Sequence, residues 1–167
     1  MFRQQVSLRA QWQTRSSMTN KRTYDIFITH AWRYHEDWTK ICEILDQTPW
    51  LAWRNFSLPW HDPAMDPNSE VGGIFIRNFL ETQIVPVHGV ILLAGVYAIK
   101  SAQRWLNLEI EFARKHNKPI IAIPALGETV VPDEIRSVSD MSAGWHAETV
   151  IAALDEVRSL PRYSSAV

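Results

Sequence analysis

The chain has 167 residues, 46% of them hydrophobic, a formal net charge of −1 and one cysteine. That length suits one domain with a sizeable core, and the lone Cys42 excludes an internal disulfide or a multi-cysteine zinc site and suits a reducing, cytoplasmic setting. No Lys/Arg stripe marks the body of the chain and no apolar run approaches the ~18–20 residues of a membrane span, so neither nucleic acid nor a membrane is expected as a partner.

Residues 1–22 form a basic extension with Arg3, Arg9, Arg15, Lys21 and Arg22 and no acid. Transit peptides share this composition, but a flexible tail or a true start at Met18 is the simpler reading. The domain is expected over residues 23–160, with a loose tail over 161–167.

Residues 24–29, Tyr-Asp-Ile-Phe-Ile-Thr, read as a first strand. A helix follows from about His35, because Trp38, Ile41, Cys42 and Leu45 recur on one helical face. Cys42 is therefore expected in the core rather than as a nucleophile. A short second strand is expected at 51–54, then a loop over 55–68 rich in proline and turn formers. Ser69 can cap a helix running to about Ile84, with Val71, Phe75 and Phe79 on its apolar face. The apolar run 87–93 has the character of a central parallel strand buried on both faces. A helix over about 102–116, a strand over 119–123, a weak strand near 138–143 and a helix over about 147–160 complete the domain. This alternation predicts an α/β fold, a doubly wound parallel sheet of about five strands with helices on both faces. Ligands of such sheets bind beyond the carboxyl ends of the strands.

One carboxylate breaks the pattern. At about 100° per residue, Glu109 falls between Trp105 and Ala113 in the middle of its helix's apolar arc. An ionised carboxylate is expensive there unless it is paired or faces a polar cleft. Glu111, on the polar side of the same helix, is its control. A structural role, with Glu109 bonded to His30 or Arg54, and a functional one are equally open on the pattern alone.

Other chemistries find less support. The six histidines form no His-Glu-x-x-His and no ligand cluster, so no metal is expected. His88 and His116 read as surface or packing residues, whereas His30 ends the first strand on the crevice side. There is no phosphate-binding glycine loop and no Gly-x-Ser-x-Gly elbow. Gly72-Gly73 reads as a site of close packing. Trp32, Trp53 and Trp60 lie on or beside crevice loops, where they could stack on a planar ligand or simply pack the loop.

Several segments, taken in order, resemble one family. Tyr24-Asp-Ile-Phe-Ile-Thr-His-Ala-Trp32 is similar to the opening strand of TIR-like domains. Trp53-Arg-Asn-Phe-Ser-Leu-Pro59 with His61-Asp62-Pro63 resembles the BB-loop region of bacterial stand-alone TIR-like proteins. Leu93-Ala-Gly-Val-Tyr97, Ser101-x3-Trp105-x3-Glu109-Ile110 and Lys118-Pro-Ile-Ile-Ala-Ile123 resemble the segments that follow. The likeness spans about residues 23–158 and is greatest to the ThsB family of TIR-like sensors in Thoeris anti-phage defence. The chain departs in its basic extension and at Ala31, where Ser is common. The resemblance implies a flavodoxin-like TIR fold and cleavage of NAD, as substrate rather than cofactor, with Glu109 catalytic. It implies a nucleotide product, a cyclic or otherwise modified ADP-ribose, that activates a partner effector. Self-assembly and a phage-derived trigger are further expected. His30, Trp32, Asn55, Ser57, Tyr97, Ser101 and Trp105 are the expected substrate-binding residues, and the loop 61–68 a lid or assembly contact. A non-catalytic TIR scaffold and a nucleoside deoxyribosyltransferase-like enzyme are the alternatives.

Overall fold

The computed structural model describes residues 22–30, 35–57, 66 and 68–164. The basic extension up to residue 21, Trp32, Trp60 and most of the loop 58–67 lie outside the described residues.

Five parallel strands form the sheet: β1 (Thr23–Ile28), β2 (Ala52–Asn55), β3 (Gly89–Leu93), β4 (Ile120–Ile123) and β5 (Met141–Ser142). Their spatial order is β2-β1-β3-β4-β5, the flavodoxin-like order in which the chain reverses direction across the sheet between β1 and β3. The helices are α1 (Glu36–Asp46), α2 (Glu70–Ile84), the single turn α3 (Ala94–Tyr97), α4 (Gln103–Lys115), α5 (Asp133–Val138), α6 (Ala147–Arg158) and α7 (Pro161–Ser164). A 3-10 turn, Lys100–Ala102, leads into α4.

Successive side chains of a strand face opposite sides of a sheet. Here both sides are apolar because both are covered. Ile26, Ile28, Ile91, Leu93, Ile121 and Ile123 pack beneath α1 and α6. Phe27, Val90, Leu92, Ile120 and Ala122 pack beneath α2, α4 and α5. Each such side chain contributes about 1.5–3 kcal/mol on leaving water, which favours this arrangement over one with an exposed sheet face.

The first strand, the capped α2, the central strand and α4 lie close to their predicted positions. Ser69 does cap α2, accepting the Gly72 N–H at 3.0 Å. The buried face of α2 is not the expected one. Gly72, Ile76, Leu80 and Ile84 face the sheet, while Val71 is 66% exposed and Phe75 stacks on Phe79 on the outside. Two adjacent apolar stripes compete on this helix, and Gly72 selects between them. A β-carbon at 72 would stand 2.0 Å from the Asp66 carbonyl oxygen of the capping turn, so only glycine can face inward there. Two further differences concern elements with weak local signals. Residues 133–138 form α5, which anchors Ile135 in the core. Within the tail 161–167, expected to be loose, Pro161–Ser164 form α7 instead, and residues 165–167 lie outside the described residues. This turn is tied down by Arg162 and the Tyr163 hydroxyl, which bond Asp140 at 2.6 and 2.9 Å.

Candidate functional site

The carboxyl ends of β1 and β3 define the crevice. Thr29 extends the ladder past the end of β1: its N–H donates to the Ile91 carbonyl at 2.9 Å, and its hydroxyl oxygen accepts the Leu93 N–H at 3.0 Å. The side chain thus replaces a main-chain carbonyl, and His30 emerges at the switch point. The ring of His30 is buried edge-on against Phe27, with centroids 5.8 Å apart.

Glu109 arrives from α4. This helix buries Trp105, Leu106, Ile110, Phe112 and Ala113, and Glu109 lies among them with no exposed surface at all. His30 Nδ1 lies 3.4 Å from Glu109 Oε1, long for a strong hydrogen bond. Neither carboxylate oxygen has a hydrogen bond of ordinary geometry to a described residue. Burial pushes the Glu109 carboxyl above its usual range, and the adjoining His30 pulls it down without overcoming burial. Arg54, a conceivable partner, is engaged elsewhere. It grips Asp25 with two bonds of 2.6 and 2.7 Å and holds that carboxyl below its usual range. Glu111 is exposed and bridges to Arg77 at 3.0 Å. The helix therefore presents one solvated and one desolvated glutamate, as its apolar periodicity predicts.

The other expected site residues divide. Trp105 is buried one helical turn before Glu109, with the Arg104 guanidinium 4.8 Å from its ring centroid. Trp105 also forms part of the wall of an open cavity of about 740 Å³ between α2 and α4, shared with Arg77, Arg104 and Leu108; Glu109 does not line it. Tyr97 is half-buried in α3, and its hydroxyl lies 3.4 Å from Glu134. Ser101 is exposed in the 3-10 turn. Asn55 and Ser57 belong to a different network. Asn55 Oδ1 accepts from the Ser57 N–H and hydroxyl at 2.9 and 2.7 Å, and Ser57 Oγ accepts from Trp38 Nε1 at 3.3 Å. Ser57 is fully buried, so this network ties the end of β2 to α1. Cys42, half-buried beside Asn55, has its thiol pushed up to about 12 by burial, in keeping with a core residue. Trp32 lies outside the described residues.

Sequence reasoning missed two contributors. Thr29 looked like the last residue of a strand, and nothing in its type announced a ladder bond. Asp37, an acid in the first turn of α1 with no sequence feature that marks it, is 4% exposed and packs against Gly95, just past β3.

Among the described residues, no group of three or more His, Cys, Asp or Glu is arranged to hold a metal ion, and no helix is long and apolar enough to cross a membrane. Compared with known proteins, the chain matches no family model and no curated sequence.

Proposed function

We propose that this protein is a TIR-like enzyme that cleaves the nicotinamide–ribose bond of NAD and releases a signalling nucleotide, a cyclic or modified ADP-ribose, to a partner effector in anti-phage defence. The observation that carries this reading is the desolvated Glu109 at the β1/β3 switch point, where flavodoxin-like sheets bind ligands. The match of Trp105-x3-Glu109 to the family's catalytic segment adds to it.

The chemistry suits a single carboxylate. Leaving of nicotinamide generates an oxocarbenium-like ribosyl cation, as in glycoside cleavage. A fixed carboxylate in a dry site stabilises that developing charge strongly, because little solvent competes. Nicotinamide departs as a neutral pyridine, so no strong general acid is required. Capture of the cation by a ligand oxygen or nitrogen gives a cyclic or conjugated product, and capture by water gives ADP-ribose. His30, beside the carboxylate, would hold its orientation.

The complete burial of Glu109 favours a second reading, a TIR-like scaffold that works by homotypic contact with Glu109 as a core residue. Incubation with NAD separates the two. Under the enzymatic reading Glu109→Gln abolishes NAD loss and Glu111→Gln preserves it. NAD loss that persists in the Glu109 variant would remove the catalytic assignment.

A further inference from the structure

A second carboxylate is buried at the same edge of the sheet. Asp37 stands in the first turn of α1, the helix on the opposite face from α4. Its Oδ2 is buried and meets no hydrogen-bond donor among the described residues. His35 cannot supply one. Its Nδ1 accepts the Asp37 N–H at 3.2 Å and lies 3.8 Å from Oδ1, beyond hydrogen-bond distance. The amino end of α1 favours an anion, but this field does not replace the hydrogen bonds a buried carboxylate needs.

The carboxylate of Asp37 is directed at Gly95, two residues past the end of β3. A β-carbon at 95 would stand 2.1 Å from Oδ2. Glycine at 95 thus makes room for the carboxylate. Gly95 and His30 lie beyond the ends of neighbouring strands, β3 and β1. Asp37 therefore reaches the switch point from one face of the sheet and Glu109 from the other. Structural carboxylates in this chain look different. Asp140 Oδ2 accepts the Ile120 N–H at 2.8 Å and the Tyr163 hydroxyl at 2.9 Å, and Asp25 is held by Arg54 through both oxygens.

We propose that Asp37 is a specificity-determining residue of the crevice: its Oδ2 accepts a hydrogen bond from a neutral donor on the bound ligand, a carboxamide N–H or a sugar hydroxyl, and repels an anionic group in that place. This deepens the NAD-cleavage reading and rests on its placement of the ligand at the switch point. Both donor types occur on the nicotinamide riboside half of NAD.

Calorimetric titration of the full-length protein tests it with two ligand pairs. The first is nicotinamide against nicotinate, which exchanges the carboxamide for a carboxylate. The second is NAD against an analogue lacking the hydroxyls of the nicotinamide ribose. The wild type is expected to prefer the donor-bearing member of at least one pair by about 10- to 100-fold, the range of a hydrogen bond to a charged group. Asp37→Asn should bring that ratio to within about threefold, with a Tm no lower than wild type because the buried Oδ2 has no hydrogen-bond donor among the described residues to lose. Gly95→Ala, which crowds Oδ2 while keeping Asp37, should shift the same ratio. A change in the first pair assigns the carboxamide, and a change in the second assigns the hydroxyl. Unchanged ratios in both variants, or no binding of any probe to the wild type, overturn the proposal. A preference that Asp37→Asn abolishes, in a protein that leaves NAD intact, would keep this inference and remove NAD cleavage. NAD turnover with unchanged ratios would do the reverse.

Discussion

Replacing Glu109 by Gln keeps the size and shape of the side chain, removes its ability to ionise and puts an amide NH2 donor in place of one acceptor oxygen. Both Glu109 oxygens are buried without hydrogen bonds of ordinary geometry among the described residues, and the compensation comes from His30, its ring Nδ1 3.4 Å away and its backbone, which together do not overcome the cost of burial. A buried polar group left in this state costs about 1–3 kcal/mol, and more when charged. Glu109→Gln should therefore stabilise the fold by about 1–3 kcal/mol near neutral pH. For a domain of 167 residues, at about 2–4 °C per kcal/mol, that is a rise in Tm of roughly 2–12 °C. The pH dependence has a fixed sign. Glutamate titrates at about 4.3 in an unfolded chain, and burial raises the folded-state value. Between the two values the folded chain binds more protons than the unfolded chain, so wild-type stability falls as pH rises through that window and then levels off. The variant does not titrate there. Its advantage should be smallest below about pH 4 and grow to a plateau, as read by calorimetric scans from acid to neutral pH. A variant less stable than wild type at every pH would refute the reasoning, because it would mean that Glu109 is a well-bonded structural carboxylate.

Other expected outcomes concern groups away from the crevice. Ser57→Ala removes a hydroxyl bonded to Asn55 and Trp38 and should cost about 1–2 kcal/mol in a denaturant titration, with the KM for NAD unchanged in a turnover assay. The Asp25 carboxyl is held low by Arg54, so the stability it contributes is present above the unfolded value near 3.9 and is lost as pH falls through the lower folded value. The Tm gap between wild type and Asp25→Asn should close accordingly in acid. Phe112→Ala opens a fully buried site beneath α4 and should cost about 3–5 kcal/mol by the same titration. The Cys42 thiol, pushed up to about 12, should resist alkylation at pH 8 in native protein and react freely once the chain is unfolded.

What was legible in the sequence follows from how strongly each feature is encoded locally. Residues 24–29 are a short β-rich run and 87–93 an apolar run typical of a strand buried on both faces, and their alternation with amphipathic helices carried the five-stranded architecture. Glu109 was legible because α4 has one well-defined apolar arc, so a charge within it stands out. In α2 the same reasoning picked the wrong stripe. Val71, Phe75 and Phe79 are as apolar as Ile76, Leu80 and Ile84, and the choice is made by the contact of Gly72 with the Asp66 carbonyl, which residue types do not reveal. Helix α5 and the turn α7 were missed because each is short and lacks a long periodic pattern: α5 is held by the burial of Ile135 and α7 by its bonds to Asp140. Asn55 and Ser57 were expected beside the ligand because they lie at the end of β2. Their side chains bond each other, as a buried hydroxyl and amide must find partners. Asp37 was overlooked for the opposite reason: an acid in a first helical turn is so ordinary that its burial against Gly95 has no sequence signature.

The central claim is that the desolvated carboxylate of Glu109 stabilises a ribosyl cation derived from NAD. Its most direct test is chromatography with mass analysis of NAD reaction mixtures, supplied with phage lysate as trigger, for wild type, Glu109→Gln and Glu111→Gln. The account predicts free nicotinamide and an ADP-ribose-derived nucleotide in equal amounts from the wild type and Glu111→Gln, and neither product from Glu109→Gln. The same products from Glu109→Gln, or intact NAD in all three mixtures, would contradict it.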